Sequence, residues 1–198
     1  VAEPERRLTA ARGCEDGLLE LELDDAAWCR VDPLVVAEAG VGVGDTLSVA
    51  LVRRIEGHAS TRHALDAGAR HLSRGPRSRH QLEQRLARDV DRVSARRAVE
   101  RLATLGLVDD ERYGRDLAER RLGSGWGPLR IRQDLETAGL SDDLVSATLA
   151  QIDPVELAAA EAIACSGRTG ARAWRRLVAR GFDPETLEGR FHDDAEEY

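Results

Sequence analysis

The sequence predicts a mainly α-helical protein: a tandem array of three three-helix, helix-turn-helix-like repeats behind a small β-containing N-terminal extension. Three observations lead there. Aromatic residues make up only 4% of the 198 residues while Ala, Leu, Val and Arg dominate, a composition that favours helix over a β-sandwich. From about Thr61 onward, apolar residues recur at helical spacing in short runs with clear stops. Finally, IRQDLETAGLSDDLVSATL (Ile131 to Leu149) lies over AWRRLVARGFDPETLEGRF (Ala173 to Phe191) at a constant offset of 42. Leu135 falls on Leu177, Gly139 on Gly181 and Leu140 on Phe182. Self-similarity at a fixed period marks a helical repeat, in which each unit must lean on its neighbours.

The extension comes first. In LLELELDD, Leu19, Leu21 and Leu23 alternate with Glu20 and Glu22, the period of a half-buried strand. Asp32-Pro33 opens a short helix that Gly40 ends, and TLSVALV (Thr46 to Val52) is read as a second strand. The glycines of AGVGVGDT are a turn before that strand, because no Lys follows them and no long helix opens there.

The helices follow. Leu65, Ala69 and Leu72 form one apolar stripe, Leu82 and Leu86 a second, and Ala95, Ala98, Val99, Leu102 and Leu105 a third. Ser78 and Ser94 are N-cap candidates, and Gly106 ends the third helix. Asp109 caps a helix carrying Tyr113, Leu117 and Arg121, Gly127-Pro128 begins another with Ile131 and Leu135, and Ser141 caps a third. Asp153-Pro154, the glycine-containing break Gly167 to Gly170 and Asp183-Pro184 delimit the last three. The expected organisation is a flexible N-terminus (1–14), an α+β extension (15–57), repeats at 58–106, 107–151 and 152–192, and an acidic tail (193–198).

Charge and chemistry exclude more than they assign. All 29 basic residues are arginine, which a GC-rich genome explains without any site. The net charge of −7 argues against indiscriminate coating of nucleic acid, yet Arg70 to Arg101 holds ten arginines against four acids. Cys14, Cys29 and Cys165 are widely spaced, suggesting reduced cytoplasmic thiols and neither a disulfide framework nor a zinc site. No apolar run has the length of a membrane span, and no signal peptide opens the chain. The five histidines are scattered and no nucleophile elbow occurs, so no catalytic residue, cofactor, metal or small-molecule substrate is expected. The acids Asp109-Asp110-Glu111 suit a helix start, where the dipole favours them.

The stretch GSGWGPLRIRQDL (Gly123 to Leu135) has the glycines of a phosphate loop and none of its other parts. No strand precedes it, no Lys-Ser/Thr follows, and Pro128 has no N–H to donate. Its glycines instead make a sharp link in which Gly127 caps the next helix and Trp126 packs.

Two stretches carry a family likeness. GLVDDERYGRDLAERR (Gly106 to Arg121) and GWGPLRIRQDLETAGL (Gly125 to Leu140) resemble the signature of the RecX regulators of the RecA recombinase. The likeness extends upstream through RSRHQLEQRLARDV and downstream through the third repeat, about two thirds of the chain, and DGLLELELDDAAW to GVGVGDTLSV resembles the small extension of some members. The first repeat departs from the pattern, lacking a turn glycine at Asp89-Val90, and the third carries the insertion SGRTGAR. The resemblance implies a non-enzymatic protein that lies in the groove of the RecA–DNA filament and hinders filament growth, ATP hydrolysis and strand exchange.

On the second helix of each repeat, Arg79, Arg85 and Arg88, then Arg130 and Arg132, then Arg172, Arg175 and Arg176 are expected to form a positive stripe. It would meet acidic RecA surface or DNA phosphates. Tyr113, Trp126, Gly127, Pro128, Ile131, Leu135 and Gly139 are expected to be structural. The alternative is an autonomous nucleic-acid-binding helical array, since helix-turn-helix units also dock on DNA.

Overall fold

The structure is a computed structural model and describes residues 5–191. The expected acidic tail, 193–198, lies outside the described residues. Among the described residues, four strands and ten helices follow one another as β1 (Arg6–Gly13), β2 (Leu19–Leu23), β3 (Ala26–Val31), α1 (Pro33–Ala39), β4 (Thr46–Leu47), α2 (Val49–Leu72), α3 (Arg79–Leu86), α4 (Arg92–Thr104), α5 (Asp110–Leu122), α6 (Pro128–Thr137), α7 (Asp142–Ala150), α8 (Pro154–Cys165), α9 (Gly170–Ala179) and α10 (Pro184–Phe191). They form two compact units. One comprises Val1–Gly75 and Leu82–Leu107, the other Pro76–Gln81 and Val108–Tyr198.

The first unit is built on an antiparallel sheet of order β3-β2-β1-β4. The alternation in LELEL turns Leu21 and Leu23 inward, and these pack with Leu8, Val31, Val36, Leu47, Val52 and Ile55. The sheet corrects three expectations. Residues expected to be a flexible N-terminus carry β1, a full strand with pairs on both sides. The strand expected over Thr46 to Val52 stops at Leu47, because the Ser48 side chain accepts from the Leu51 N–H and starts α2. The first helix of the first repeat therefore begins at Val49 and not near Thr61. Its buried face there is Ala64, Ala67 and Gly68, whereas Leu65, Ala69 and Leu72 are half-buried or exposed. Small residues let α2 approach α4 closely: a Cβ on Gly68 would stand 2.6 Å from Leu102 Cδ1.

Leu82 and Leu86 of α3 and Ala95, Ala98, Val99 and Leu102 of α4 are buried, whereas Leu105 is exposed. Asp91, not Ser94, caps α4, its carboxylate accepting from the Ser94 N–H at 3.0 Å. Hydrogen bonds from the Ser94 side chain and backbone hold that carboxyl below the usual aspartate range.

The second unit has one core, drawn from α5 to α10 and centred on Ala118, Leu122, Ile131, Leu135, Val145, Ala160, Leu177, Phe182 and Leu187. On α5 the buried residues are Gly114, Ala118 and Leu122, one position on from the expected face, and Tyr113 and Leu117 pack half-buried beside them. The expected starts are in place: Asp109 accepts from the Arg112 N–H, Ser141 from Leu144 and Asp153 from Val155. The Arg112 N–H also holds the Asp109 carboxyl below its ordinary value.

Candidate interaction surface

The links between first and second helices do more in this fold than reverse the chain. In the second unit, the segment Pro76–Gln81 runs against the turn after α6. Ser78 caps α3 by accepting from the Gln81 N–H at 3.1 Å, and its own hydroxyl donates to the Ala138 carbonyl. Asp110 accepts from the Arg79 N–H at 2.8 Å. Gly139, at φ +77, presents its bare Cα to the His80 ring, and a Cβ there would overlap that ring. Any other residue would meet both strain and collision.

The same joint recurs one repeat later. The link Gly125–Pro128 enters the turn after α9, where the Gly127 N–H donates to the Arg180 carbonyl at 2.8 Å and the Leu129 N–H to the Gly181 carbonyl at 2.9 Å. Arg180 Nη1 returns a bond to the Ser124 carbonyl at 2.9 Å. Contact is backbone on backbone. A Cβ on Gly127 would lie 2.5 Å from the Gly181 oxygen, and one on Gly181, at φ +81, 2.6 Å from the Arg130 nitrogen. The repeat of 42 thus has a cause: Gly139 and Gly181 are the turns that receive a link. At the matching place in the first repeat stands Val90, whose N–H bonds back to the Leu86 carbonyl, and among the described residues no backbone hydrogen bond joins that turn to another link.

Trp126 closes the second joint between two guanidinium groups, with Arg180 at 4.4 Å and Arg130 at 5.3 Å from its ring centroid. Asp134 ties Arg130 to α5, pairing with Arg121 Nε at 2.7 Å and Arg130 Nε at 3.2 Å. Trp126, Gly127, Pro128, Ile131, Leu135, Gly139 and Tyr113 therefore all contribute to core or joint.

The eight arginines divide. On α6, Arg130 is engaged by Trp126 and Asp134, and Arg132 stands 3.9 Å from Glu136 on the same helix. Arg79 lies at the start of α3, in the second unit, and Arg85 on α3 in the first. Arg88 lies past the end of α3 at Leu86, a correction to its expected place on that helix. On α9, Arg172, Arg175 and Arg176 are exposed, and none pairs with an acid among the described residues. Arg175 Nε donates to the Ala171 carbonyl, one turn back. Their buried counterparts on that helix are Ala173 and Leu177.

Two residues of the joint carry no signal in the sequence. Asp134 is one acid among many, and Arg180 aligns with Ala138, so the repeat gives no hint of its place over Trp126. A third feature is in plain view: from Ala162 to Phe182 the chain has five arginines and no acid.

The thiols offer little chemistry. Cys29 is half-buried, and burial, with Glu56 nearby, pushes it up to about 12, away from thiolate reactivity at neutral pH. Among the described residues no group of His, Cys, Asp and Glu could hold a metal ion. Among them too, no helix is long and apolar enough to cross a membrane.

Fold and surface together define a helical-repeat protein whose three-helix groups lock link into turn and whose exposed helix faces carry arginine. Comparison with known proteins narrows this class. The family model described as RecX, second three-helix domain, matches residues 109–149. The regulatory protein RecX of Lactobacillus delbrueckii subsp. bulgaricus is 33% identical over 144 residues, covering 72% of this chain and 53% of that protein. That of Xanthomonas campestris pv. campestris is 42% identical over 83 residues, covering 41% of this chain and 51% of its own. The chain thus spans about half the length of the curated relatives it matches. In fold it is similar to a crystal structure of regulatory protein RecX, with TM-score 0.70 at 18% identity over 92% of this chain and 97% of that one. RecX from Lactobacillus salivarius gives TM-score 0.58 at 16% identity over 68% and 96%. The chain belongs to the RecX family.

Proposed function

We propose that this protein is a non-enzymatic, cytoplasmic regulator of the RecA recombinase. It binds in the groove of the RecA–DNA filament and suppresses ATP hydrolysis, filament extension and strand exchange. The observation that carries this reading is the RecX three-helix domain at 109–149, set in a chain whose relatives are named regulatory protein RecX. The joints support it physically. In the second unit, backbone hydrogen bonds between the link Gly125–Pro128 and the turn after α9 hold α6 and α9, with the arginines they carry, in constant register, which contact with successive protomers of a filament requires.

The contact residues proposed are Arg79, Arg85, Arg88, Arg130, Arg132, Arg172, Arg175 and Arg176. Arg172, Arg175 and Arg176 are favoured as direct contacts because no acid among the described residues neutralises them. Arg130 acts at one remove, holding the joint that positions α9.

The test is RecA's DNA-dependent ATP hydrolysis with this protein titrated in. Inhibition is expected at ratios well below one per RecA protomer, and no effect at any ratio ends the proposal. Reversing Arg132, Arg172, Arg175 and Arg176 together to Glu, which leaves the joint residue Arg130 in place, is expected to abolish inhibition while helicity is retained. Inhibition that survives removes the arginines as the interface.

A further inference from the structure

Between the end of α5 and the outer side of α8 lies a hollow of about 280 Å³. Its floor is apolar, with Leu122 and Ala160 buried beneath it and Ala159 and Ile163, the latter 48% exposed, along its wall. Two exposed carboxylates stand at its mouth, Glu119 from α5 and Glu156 from α8, and no cation lines it. Neither acid has an ion-pair partner among the described residues. Glu156 lies in the first turn of α8, where the helix dipole favours it, but Glu119 lies in the last turn of α5, where the dipole opposes it. The apolar surface continues along α8, whose exposed positions include Val155, at 76%, and carry no charge other than Glu156. An apolar hollow with unpaired acid at its rim is a feature of a surface that receives another one.

The inverse surface stands on the first unit. On α4, Val93, Arg97 and Arg101, with Leu105 at the C-cap, follow one another at intervals of four and so form one ridge, about 18 Å long. All four are exposed, Val93 by 60% and Leu105 by 55%. The adjacent Arg96 is matched by Glu100 at 3.0 Å, whereas Arg97 and Arg101 have no acid partner among the described residues. The ridge thus has apolar ends and a cationic middle, where the hollow has an apolar floor and an anionic mouth.

We infer that the chain associates with a second copy of itself, head to tail. The Leu105 end of α4 in one copy seats in the hollow between α5 and α8 of the other, and Arg97 and Arg101 of the first meet Glu119 and Glu156 of the second. Charge complementarity selects this occupant. Two unpaired arginines meet two unpaired glutamates, no like charges are opposed at the mouth, and the match fixes the register of the ridge. Ridge and hollow are different surfaces, so the contact is heterologous, and each copy in a pair keeps one of the two free. A single ridge in a single hollow buries far less than the roughly 1,600 Å² of a standard interface, so the association is weak and reversible. This inference does not rest on the RecA reading, and its experiment contains no RecA.

The experiment is sedimentation velocity of the full chain from about 10 to about 500 μM, at about 50 mM salt. The wild-type chain is expected to associate with a dissociation constant on the order of 100 μM, weakened several-fold at about 500 mM salt. Ala159→Trp fills the hollow from an exposed position and leaves the ridge intact. Leu105→Glu puts an acid at the tip of the ridge, against Glu119 and Glu156, and leaves the hollow intact. Each variant alone is expected to stay monomeric throughout, with helicity unchanged. Mixed together they are expected to form a one-to-one dimer that grows no further, because one supplies the ridge and the other the hollow. The pair Arg97→Gln, Arg101→Gln should weaken association about tenfold and flatten its salt dependence. Val43→Ala, at an exposed apolar residue away from both surfaces, should change nothing.

A wild-type chain that stays monomeric at the lowest salt overturns the inference. So does either single variant that associates as the wild type does. If both variants are monomeric and their mixture is too, ridge and hollow do not meet, and the inference falls.

Discussion

Helices α6 and α9 occupy the same place in successive repeats, and they put the same design to different uses. Both bury one face on one core, Ile131 and Leu135 on α6, Ala173 and Leu177 on α9, and both run into a turn glycine. Their exposed faces differ. α6 has two arginines and two acids, matched as Arg130–Asp134 and Arg132–Glu136, while α9 has three arginines and no acid. At the offset of 42, Asp134 falls on Arg176, so the residue that anchors the joint in one helix is a bare cation in the other. Packing dictates the buried positions of a repeat, whereas its exposed positions are free to diverge. Here α6 serves the joint and α9 is left open.

If α6 is a joint element, damage to the joint must cost stability before it costs anything else. Gly127→Ala is the sharpest test, because its Cβ would meet the Gly181 backbone at 2.5 to 2.6 Å and neither segment can yield by a rotamer change. A loss of about 3 kcal/mol in urea unfolding is expected. Gly123→Ala, in the same link, is the control. Its Cβ would find nothing nearer than 3.4 Å, and stability should change by less than about 1 kcal/mol. Equal effects would mean that the link is merely glycine-rich and not docked.

Trp126→Ala removes the ring shared by Arg130 and Arg180, along with its packing. About 2 kcal/mol is expected, smaller than Gly127→Ala because the backbone hydrogen bonds of the joint survive. The indole also gives the comparison a direct readout. Of Trp28, Trp126 and Trp174, only Trp126 lies between two guanidinium groups, so a difference emission spectrum against the Trp126→Phe chain isolates the joint. Arg180→Ala should shift that difference spectrum more than Arg130→Ala, in keeping with 4.4 against 5.3 Å.

Much of this is legible from residues alone, and the illegible parts have physical reasons. The repeat of 42, the capped helix starts and the Gly127-Pro128 entry follow from local rules of turn and cap, which sequence carries directly. The start of α2 is ambiguous because TLSVALV satisfies both periods. Leu47, Val49 and Leu51 alternate as in a strand, but Ser48 is a helix cap, and the cap prevails where Val52 and Ile55 can pack under the sheet one helical turn apart. β1 is hidden because RRLTAARG buries only Leu8, too little apolar alternation to see. The joint is invisible for a different reason. Gly127 and Gly181 are far apart in the chain and meet through backbone atoms, which leave no side-chain signature except the absence of side chains. The arginines are evident and their division is not, since it depends on which acid each one meets within its own helix, Asp134 for Arg130, and on Arg180 reaching Trp126 from outside the motif.

The finest test converts one helix toward the other. Arg176→Asp gives α9 the i,i+4 pattern of Arg130–Asp134, replacing repulsion between Arg172 and Arg176 by an ion pair on an exposed face. Exposed pairs are weak, so the expected gain is about 0.5 kcal/mol, read as a small rise in urea midpoint at unchanged slope. The same substitution places a negative charge within the face and should raise the concentration needed to inhibit RecA by tenfold or more, about 1.4 kcal/mol. Opposite signs for stability and binding are what an open face requires, because its arginines are retained at the expense of the free protein. If Arg176→Asp instead lowers stability, Arg176 has a structural partner, and α9 differs from α6 in sequence but not in use.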